Sequence, residues 1–254
     1  LVEYINNLCN LTNHRVSLAI MLKMPEYEVF TNRLPKNINI YYLVQNKYLT
    51  WYKRNKILNN NHSFSFFDEI IINPIRRILT ALRLYWFTKE HDVIIDFDST
   101  FGSLINFSLK AKKICFFQFS FAKEYEREPR HMKRRVKNMN KYDYVVTLSD
   151  DMQQEALEMF PSLHNKLIRI YNSVDLNRIT IQAKEEVLDS HINEQFLLAV
   201  ERLEDTQKDL TSLIDAYWEL TKRNIQNLPK LFIIGEGKSR RSEERFSRNA
   251  ETDL

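Results

Sequence analysis

Two cations stand six positions apart in ERLEDTQKDL (201–210), Arg202 and Lys208. The apolar run FLLAV precedes them and the amphipathic run TSLIDAYWEL follows. That order predicts a strand, a turn and a helix, with both cations at the turn. An arginine fork can bind phosphate through two parallel hydrogen bonds, and a lysine adds a compact charge on a flexible stem. A helix N-terminus beside them carries partial positive charge of its own. The chemistry they suit is the holding of a diphosphate. The competing reading is a pair of surface cations, with Arg202 paired to Glu201 or Glu204.

Two other stretches place chemistry at strand ends. LFIIGEGKSR (231–240) sets Gly235 and Gly237 just after an apolar run. A dinucleotide G-x-G-x-x-G would need a third glycine where Arg240 stands, and a P-loop would need its first glycine at Phe232, in mid-strand. What remains is a short turn in which backbone approaches a ligand, or an ordinary strand-to-loop turn. DFDST (96–100) offers Asp96 and Asp98, a spacing that can hold a divalent metal or simply form a turn. The six histidines are scattered and no G-x-S-x-G elbow is present, which argues against zinc and nucleophile-elbow chemistry.

The elements that must position these residues alternate along the chain. Strands are predicted at 16–22, 38–44, 93–97, 114–119, 144–148, 167–171, 195–200 and 231–234. Helices are predicted over 74–87, with Ile75, Ile78, Leu79, Leu82, Tyr85 and Trp86 inward and Arg76, Arg77 and Arg83 outward, and over 104–112. Another begins near Asp150, where Asp150 and Gln153 have capping-box spacing. Strands alternating with helices mean an α/β doubly wound architecture. The polar stretch 172–195 reads as a domain boundary, and 239–254 as a disordered or non-native tail. The basic run KRRVKNMNK (133–141) reads as a solvated helix face.

Composition sets the outer limits. The 254 residues are 44% hydrophobic and 28% charged, ordinary for a globular chain. A net charge of +4 is too weak to argue for nucleic acid but compatible with an anionic substrate or membrane surface. Two cysteines, Cys9 and Cys115, cannot build a disulfide scaffold. There are three glycines, against about 18 in an average chain of this length.

Several blocks together resemble family 4 glycosyltransferases, retaining enzymes of the two-domain GT-B architecture. AVERLEDTQKDLTSLIDAYWEL is similar to their G-R-L … K-G … L-I-x-A signature, and LFIIGEG to the strand and G-x-G that follow it. YDYVVTLSDDMQQEAL resembles their D-x-V-V-x-x-S segment, KLIRIYNSVDLNRI their I-x-V-I-x-N-x-V-D strand, and TNHRVSLAIML their early G-H-x-V strand. KKICFFQFSF resembles the W-I-H-F-S segment of members that build lipopolysaccharide and other surface glycans.

The resemblance implies a GT-B fold with an N-terminal acceptor-side domain over 1–178 and a partial donor-binding domain over 190–238. It implies transfer of a sugar from a nucleotide-diphosphate donor, a UDP-sugar, to a glycan or lipid-linked acceptor. The donor is a co-substrate, and no cofactor, metal or nucleic acid is implied. Arg202 and Lys208 would hold the diphosphate, and Gly235 and Gly237 would approach the donor. Gln118 stands at the family's histidine position, where it can hydrogen-bond a sugar but cannot relay a proton. Asp209 replaces the glycine after the lysine, and as an aspartate it suits a helix N-cap.

The implied setting is cytoplasmic, with peripheral contact on an anionic inner membrane through KRRVKNMNK and KYLTWYKRNK (47–56). The family's opening glycine loop and its E-x7-E pair are not found, so the chain is expected to be a fragment, poorly stable and inactive alone. Two other readings stay open: a metal-dependent single-domain glycosyltransferase using Asp96 and Asp98, and a non-enzymatic basic module for membrane or nucleic acid.

Overall fold

A computed structural model describes residues 1–25, 28–50, 68–105, 110–187, 194–204, 208–223 and 225–237. The chain divides into two compact units, Leu1–Leu176 and Asn177–Leu254. All described strand pairs are parallel, as alternating strands and helices require.

Unit 1 opens with α1 (Val2–Leu11), then β1 (Ser17–Leu22) and β2 (Asn39–Val44), which pair with each other. Next come α2 (Asn73–Thr88), β3 (Val93–Asp96) and β4 (Lys112–Phe116). They are followed by α3 (Phe121–Arg127), α4 (Pro129–Met139), β5 (Tyr144–Thr147), α5 (Asp150–Met159) and β6 (Leu167–Arg169). Strands β3 to β6 form one sheet in chain order. Its central strands are short and apolar, and Cys115, Val145 and Val146 are buried in them. Around them Leu43, Phe117, Phe121, Met132, Met139 and Leu163 close a single core. Burial of this kind stabilises by about 25 cal/mol per Å² of apolar surface.

Asp143 and Ser149 of the segment YDYVVTLSDD each have a folding role. The Lys113 backbone N–H donates to Asp143 Oδ2 at 2.7 Å, and Lys113 Nζ lies 3.5 Å from the same oxygen. That joins β4 to the approach of β5. Ser149 caps α5, its hydroxyl accepting from Met152 N–H at 3.2 Å. The cap is therefore one residue earlier than the Asp150–Gln153 spacing predicts. Asp150 instead pairs with Arg169 at 3.0 Å.

Helix α2 keeps Arg77 and Arg83 exposed as expected but turns Arg76 inward in place of several of the expected apolar residues. Arg76, Thr80, Leu84 and Thr88 are buried, while Ile78, Leu82 and Trp86 are 61%, 54% and 64% exposed. Backbone carbonyls make the polar face tolerable inside. Arg76 donates to Leu49 O and the Thr88 hydroxyl to Leu84 O, while the exposed Arg83 reaches Leu43 O. A buried polar group that finds an acceptor loses little. In the expected helix over 104–112, residues 106–109 lie outside the described residues and Lys112 is already in β4.

Unit 2 holds most of α6 (Leu176–Gln182), a helix within the stretch read as a polar boundary, then β7 (Phe196–Val200), α7 (Leu210–Lys222) and β8 (Lys230–Ile234). β7 and β8 pair in register from Phe196–Lys230 to Val200–Ile234. Among the described residues of this unit only Leu203 and Leu210 are buried hydrophobics. The tail 239–254 and residues 51–56 of KYLTWYKRNK lie outside the described residues. Among the described residues no helix is long and apolar enough to cross a membrane.

Hydrogen bonding from Lys113 and the charges of Lys113 and Lys112 hold the Asp143 carboxyl below the usual carboxylate range. Its contribution is thus fully present above the unfolded carboxylate pKa of about 4 and is lost as pH falls through the depressed folded value. The Asp143→Asn variant should differ from wild type in urea midpoint at pH 6, and the difference should close toward pH 2.

Candidate functional site

The turn after β7 is held by backbone. Glu201 N–H donates to Ile234 O at 3.0 Å and Leu203 N–H to Glu236 O at 3.1 Å, extending the β7–β8 ladder past both strand ends. Arg202 sits between these two bonds. The glycines are what permit the approach: a Cβ on Gly235 would lie 1.8 Å from Glu201 O, and one on Gly237 2.0 Å from Leu203 O. Neither glycine has positive φ, so the need is for space rather than for curvature. Gly235 and Gly237 thus fix the path of residues 201–203 and, through it, the root of Arg202.

Arg202 and Lys208 are both exposed. The guanidinium Nε lies 3.1 Å from Glu204 Oε2, the pairing that the surface reading anticipated. The ion pair is more than half open to solvent on the arginine side, so its worth is small, about 0–1 kcal/mol. A diphosphate with two or more charges can displace it. Lys208 follows residues 205–207, which lie outside the described residues, and its N–H donates to Glu204 O at 3.1 Å. Asp209 does not cap α7 with its side chain. It stands at φ 51, ψ 46, in the left-handed region that glycine enters without cost. That geometry explains why a glycine occupies this place in the signature the stretch resembles.

In unit 1, Asp96 is 4% exposed and ends β3. Its carboxylate accepts from Thr100 N–H at 3.2 Å, Phe101 N–H at 2.9 Å and the Tyr142 hydroxyl. Burial raises its pKa, and these bonds work against the rise. Both oxygens accept from the turn that follows β3, which is the turn-forming role, and Oδ2 also accepts from Tyr142. Among the described residues no three His, Cys, Asp or Glu side chains are grouped as metal ligands would be. Cys115 is buried, and desolvation pushes its thiol well above the usual range, so it is an inert core residue.

Gln118 follows β4 and its Nε2 donates to Phe97 O at 2.8 Å, tying the ends of β4 and β3 together. Beyond it, α3 is capped twice: Ser120 accepts from Lys123 N–H at 3.1 Å, and the Glu155 carboxylate accepts from Ser120 Oγ and Ala122 N–H. One residue of the basic run does more than solvate a helix. Arg135 on α4 is half-buried, with Cζ 5.5 Å from the centre of the Phe117 ring. Its place between the buried Met132, Val136 and Met139 was the signal that could have singled it out. Lys133, Arg134 and Lys137 of the same run are exposed, as a solvated face requires. An apolar cavity of about 330 Å³ lies elsewhere in unit 1, between α2 and Leu104–Ile105, with no charged residue in its lining.

No family model and no curated protein sequence matches the chain. Solved structures do. A trehalose-6-phosphate synthase (OtsA) aligns at TM-score 0.53 and 16% identity, covering 86% of this chain and 57% of that one. The chain has the GT-B fold. A UDP-forming α,α-trehalose-phosphate synthase from Burkholderia vietnamiensis aligns at TM-score 0.50 and 13% identity, over 81% of this chain and 52% of that one. A trehalose-6-phosphate synthase studied for glycosyl transfer with retention aligns at 0.55 and 14% identity, over 94% and 68%. The chain spans about half the length of the first two of these.

Placing a methyl group at either glycine of the β8 turn should disturb the root of Arg202. Gly235→Ala and Gly237→Ala should each lower stability by about 1–3 kcal/mol, the range for overpacking. Urea unfolding measures this, and amide shifts of residues 201–203 should move with it.

Proposed function

We propose that this chain belongs to a retaining glycosyltransferase that moves a sugar from a UDP-sugar to a glycan or lipid-linked acceptor. The observation that carries the reading is the turn at 201–208. It lies at the carboxyl end of β7, where open parallel sheets take their ligands. It carries two exposed cations, one rooted between two backbone hydrogen bonds. The fold shared with transferases whose names state retention and UDP release supports the same reading.

In this mechanism Arg202 leaves Glu204 and takes two oxygens of the donor diphosphate, and Lys208 takes a third. The bond between the sugar's anomeric carbon and the diphosphate breaks, and negative charge gathers on the departing UDP. Fixed cations stabilise that charge more in the transition state than in the ground state, which is what accelerates the step. Asp209, held in the left-handed region, sets the start of α7 so that its first N–H groups face the same turn. Gly235 and Gly237 keep the turn in place. The acceptor-side assignment of unit 1, the surface-glycan role and peripheral membrane contact rest on the resemblance of FFQFSF and on the basic stretches.

The test is titration of UDP and UDP-sugars by calorimetry or thermal shift. Removing both side chains in Arg202→Ala/Lys208→Ala should weaken UDP binding by about 100-fold or more, at about 1.5–3 kcal/mol for each charge-assisted contact. EDTA should leave binding unchanged. Binding that survives the double variant, or that EDTA abolishes, would overturn the clamp. Salt-sensitive binding to RNA or anionic liposomes without affinity for UDP would favour the basic module instead.

A further inference from the structure

The strand that leads into the clamp, β7, is an open edge. Among the described residues it has β8 on one side and no strand on the other. The N–H groups of Glu201 and Leu203 point to the β8 side. Alternation along a strand then turns the N–H and C=O groups of Phe196, Leu198 and Val200 the opposite way. Those groups have no hydrogen-bond partner among the described residues. The side chains are as open as the backbone: Leu198 is 52% and Val200 68% exposed. Proteins that stay monomeric blunt such an edge with charge, proline or a covering segment. β8 starts at Lys230, directly after Pro229. The β7 run FLLAV carries neither device.

An apolar edge with free backbone groups takes another strand, and its flanks select which one. Glu194 precedes the run and Arg202 follows it, each four residues from Leu198. Two copies of β7, laid antiparallel about a two-fold axis at Leu198, set Phe196 opposite the partner's Val200. Glu194 then stands opposite the partner's Arg202, and symmetry repeats that pair at the other end. Every outward-turned backbone group meets an outward-turned one, and all five apolar residues meet apolar residues. Moving the axis to Leu197 sets Glu194 against the partner's Val200, and moving it to Ala199 sets Arg202 against the partner's Phe196. Only the axis at Leu198 matches both charge and apolar character. Within one chain Glu194 pairs with Lys230 and Arg202 with Glu204. Both pairs are exposed and hold their charges weakly.

We propose that β7 is a self-association edge, on which two copies of this chain pair antiparallel about Leu198. Two two-stranded sheets become one of four strands, which is past the size at which a sheet is marginal. The pairing also engages the clamp. Arg202 cannot hold the partner's Glu194 and a diphosphate together, so UDP and self-association oppose each other. That opposition rests on the reading of Arg202 as part of the donor clamp, whereas the pairing does not.

Analytical ultracentrifugation of the 254-residue chain over a wide concentration range should show a monomer–dimer equilibrium. Amide exchange at Leu198 and Val200 should slow as the dimer fills. Leu198→Lys puts a charge at the exposed centre of the edge and should leave a monomer with unchanged circular dichroism. Glu194→Arg and Arg202→Glu should each weaken the dimer by about tenfold or more, since each turns two attractive cross-strand pairs into repulsive ones. The double variant Glu194→Arg/Arg202→Glu should restore it, which a folding defect would not do. Lys222→Ala, on α7, should change nothing. Added UDP should shift the wild-type chain toward monomer. A chain that stays monomeric, or that forms polymers beyond the dimer, would overturn the pairing. So would a dimer that survives Leu198→Lys, or a double variant no better than the singles. Slow exchange at Leu198 and Val200 in a strict monomer would give the edge to another segment of the same chain. UDP that binds without dissociating the dimer would overturn the opposition between them. A dimer that meets every other condition without any UDP binding would sink the clamp and leave the pairing standing.

Discussion

Asp96 is a carboxylate buried at the end of a strand, and the carboxyl end of the unit 1 sheet is organised around it. Leaving such a group without partners costs several kcal/mol, so the chain around it must supply donors. It does so from two directions: backbone N–H groups of the turn after β3, and the hydroxyl of Tyr142 from the approach to β5. The turn is wound tightly enough to put Ser99 at positive φ. It also presents Phe97 O to Gln118 and sets Asp98 outside. One desolvated charge thereby aligns the ends of three neighbouring strands. Replacing it with an apolar residue would orphan several donors at once.

Much of this architecture was legible in the sequence. β3, β4 and β5 are short apolar runs with polar ends, which admit few alternatives at that length, although β3 leaves Val93 and Ile95 exposed. The helix at 73–88 was legible as a helix but not as to its inward face. Helical periodicity assigns the interior to isoleucine, leucine and tryptophan. It cannot register that Arg76 and Arg83 would reach the carbonyls of Leu49 and Leu43, residues more than 25 positions away. The partners are tertiary, so the pattern held no trace of them. Arg135 was hidden for a related reason: inside a run of cations its sign carried no information, and only its phase relative to Met132 and Met139 did.

The blocks that carried the family resemblance turn out to mix two kinds of constraint. Asp143 and Ser149 serve the fold, one joining β4 to β5 and the other opening α5. The positions of Asp209, Gly235 and Gly237 are set by backbone conformation and clearance. Arg202 and Lys208 are exposed, and the ion pair of Arg202 with Glu204 is open enough to solvent to contribute little. The GT-B fold persists at 13–16% identity to the solved transferases because the first kind of constraint is met by many sequences.

The turns at Ser99, Asp209 and Asn227 adopt left-handed backbone without glycine, while all three glycines are used to let chain segments approach closely. Each such turn costs about 1 kcal/mol of local strain in the folded state. The unfolded chain is affected in the opposite sense. Glycine is the residue with the most backbone freedom to lose, and a chain nearly empty of it collapses from a narrower ensemble. The molecule accepts tension at a few corners and, in return, begins folding from a stiffer coil. In unit 2, whose described strands form a two-stranded sheet with Leu203 and Leu210 buried, that lower entropy of departure works in favour of the fold.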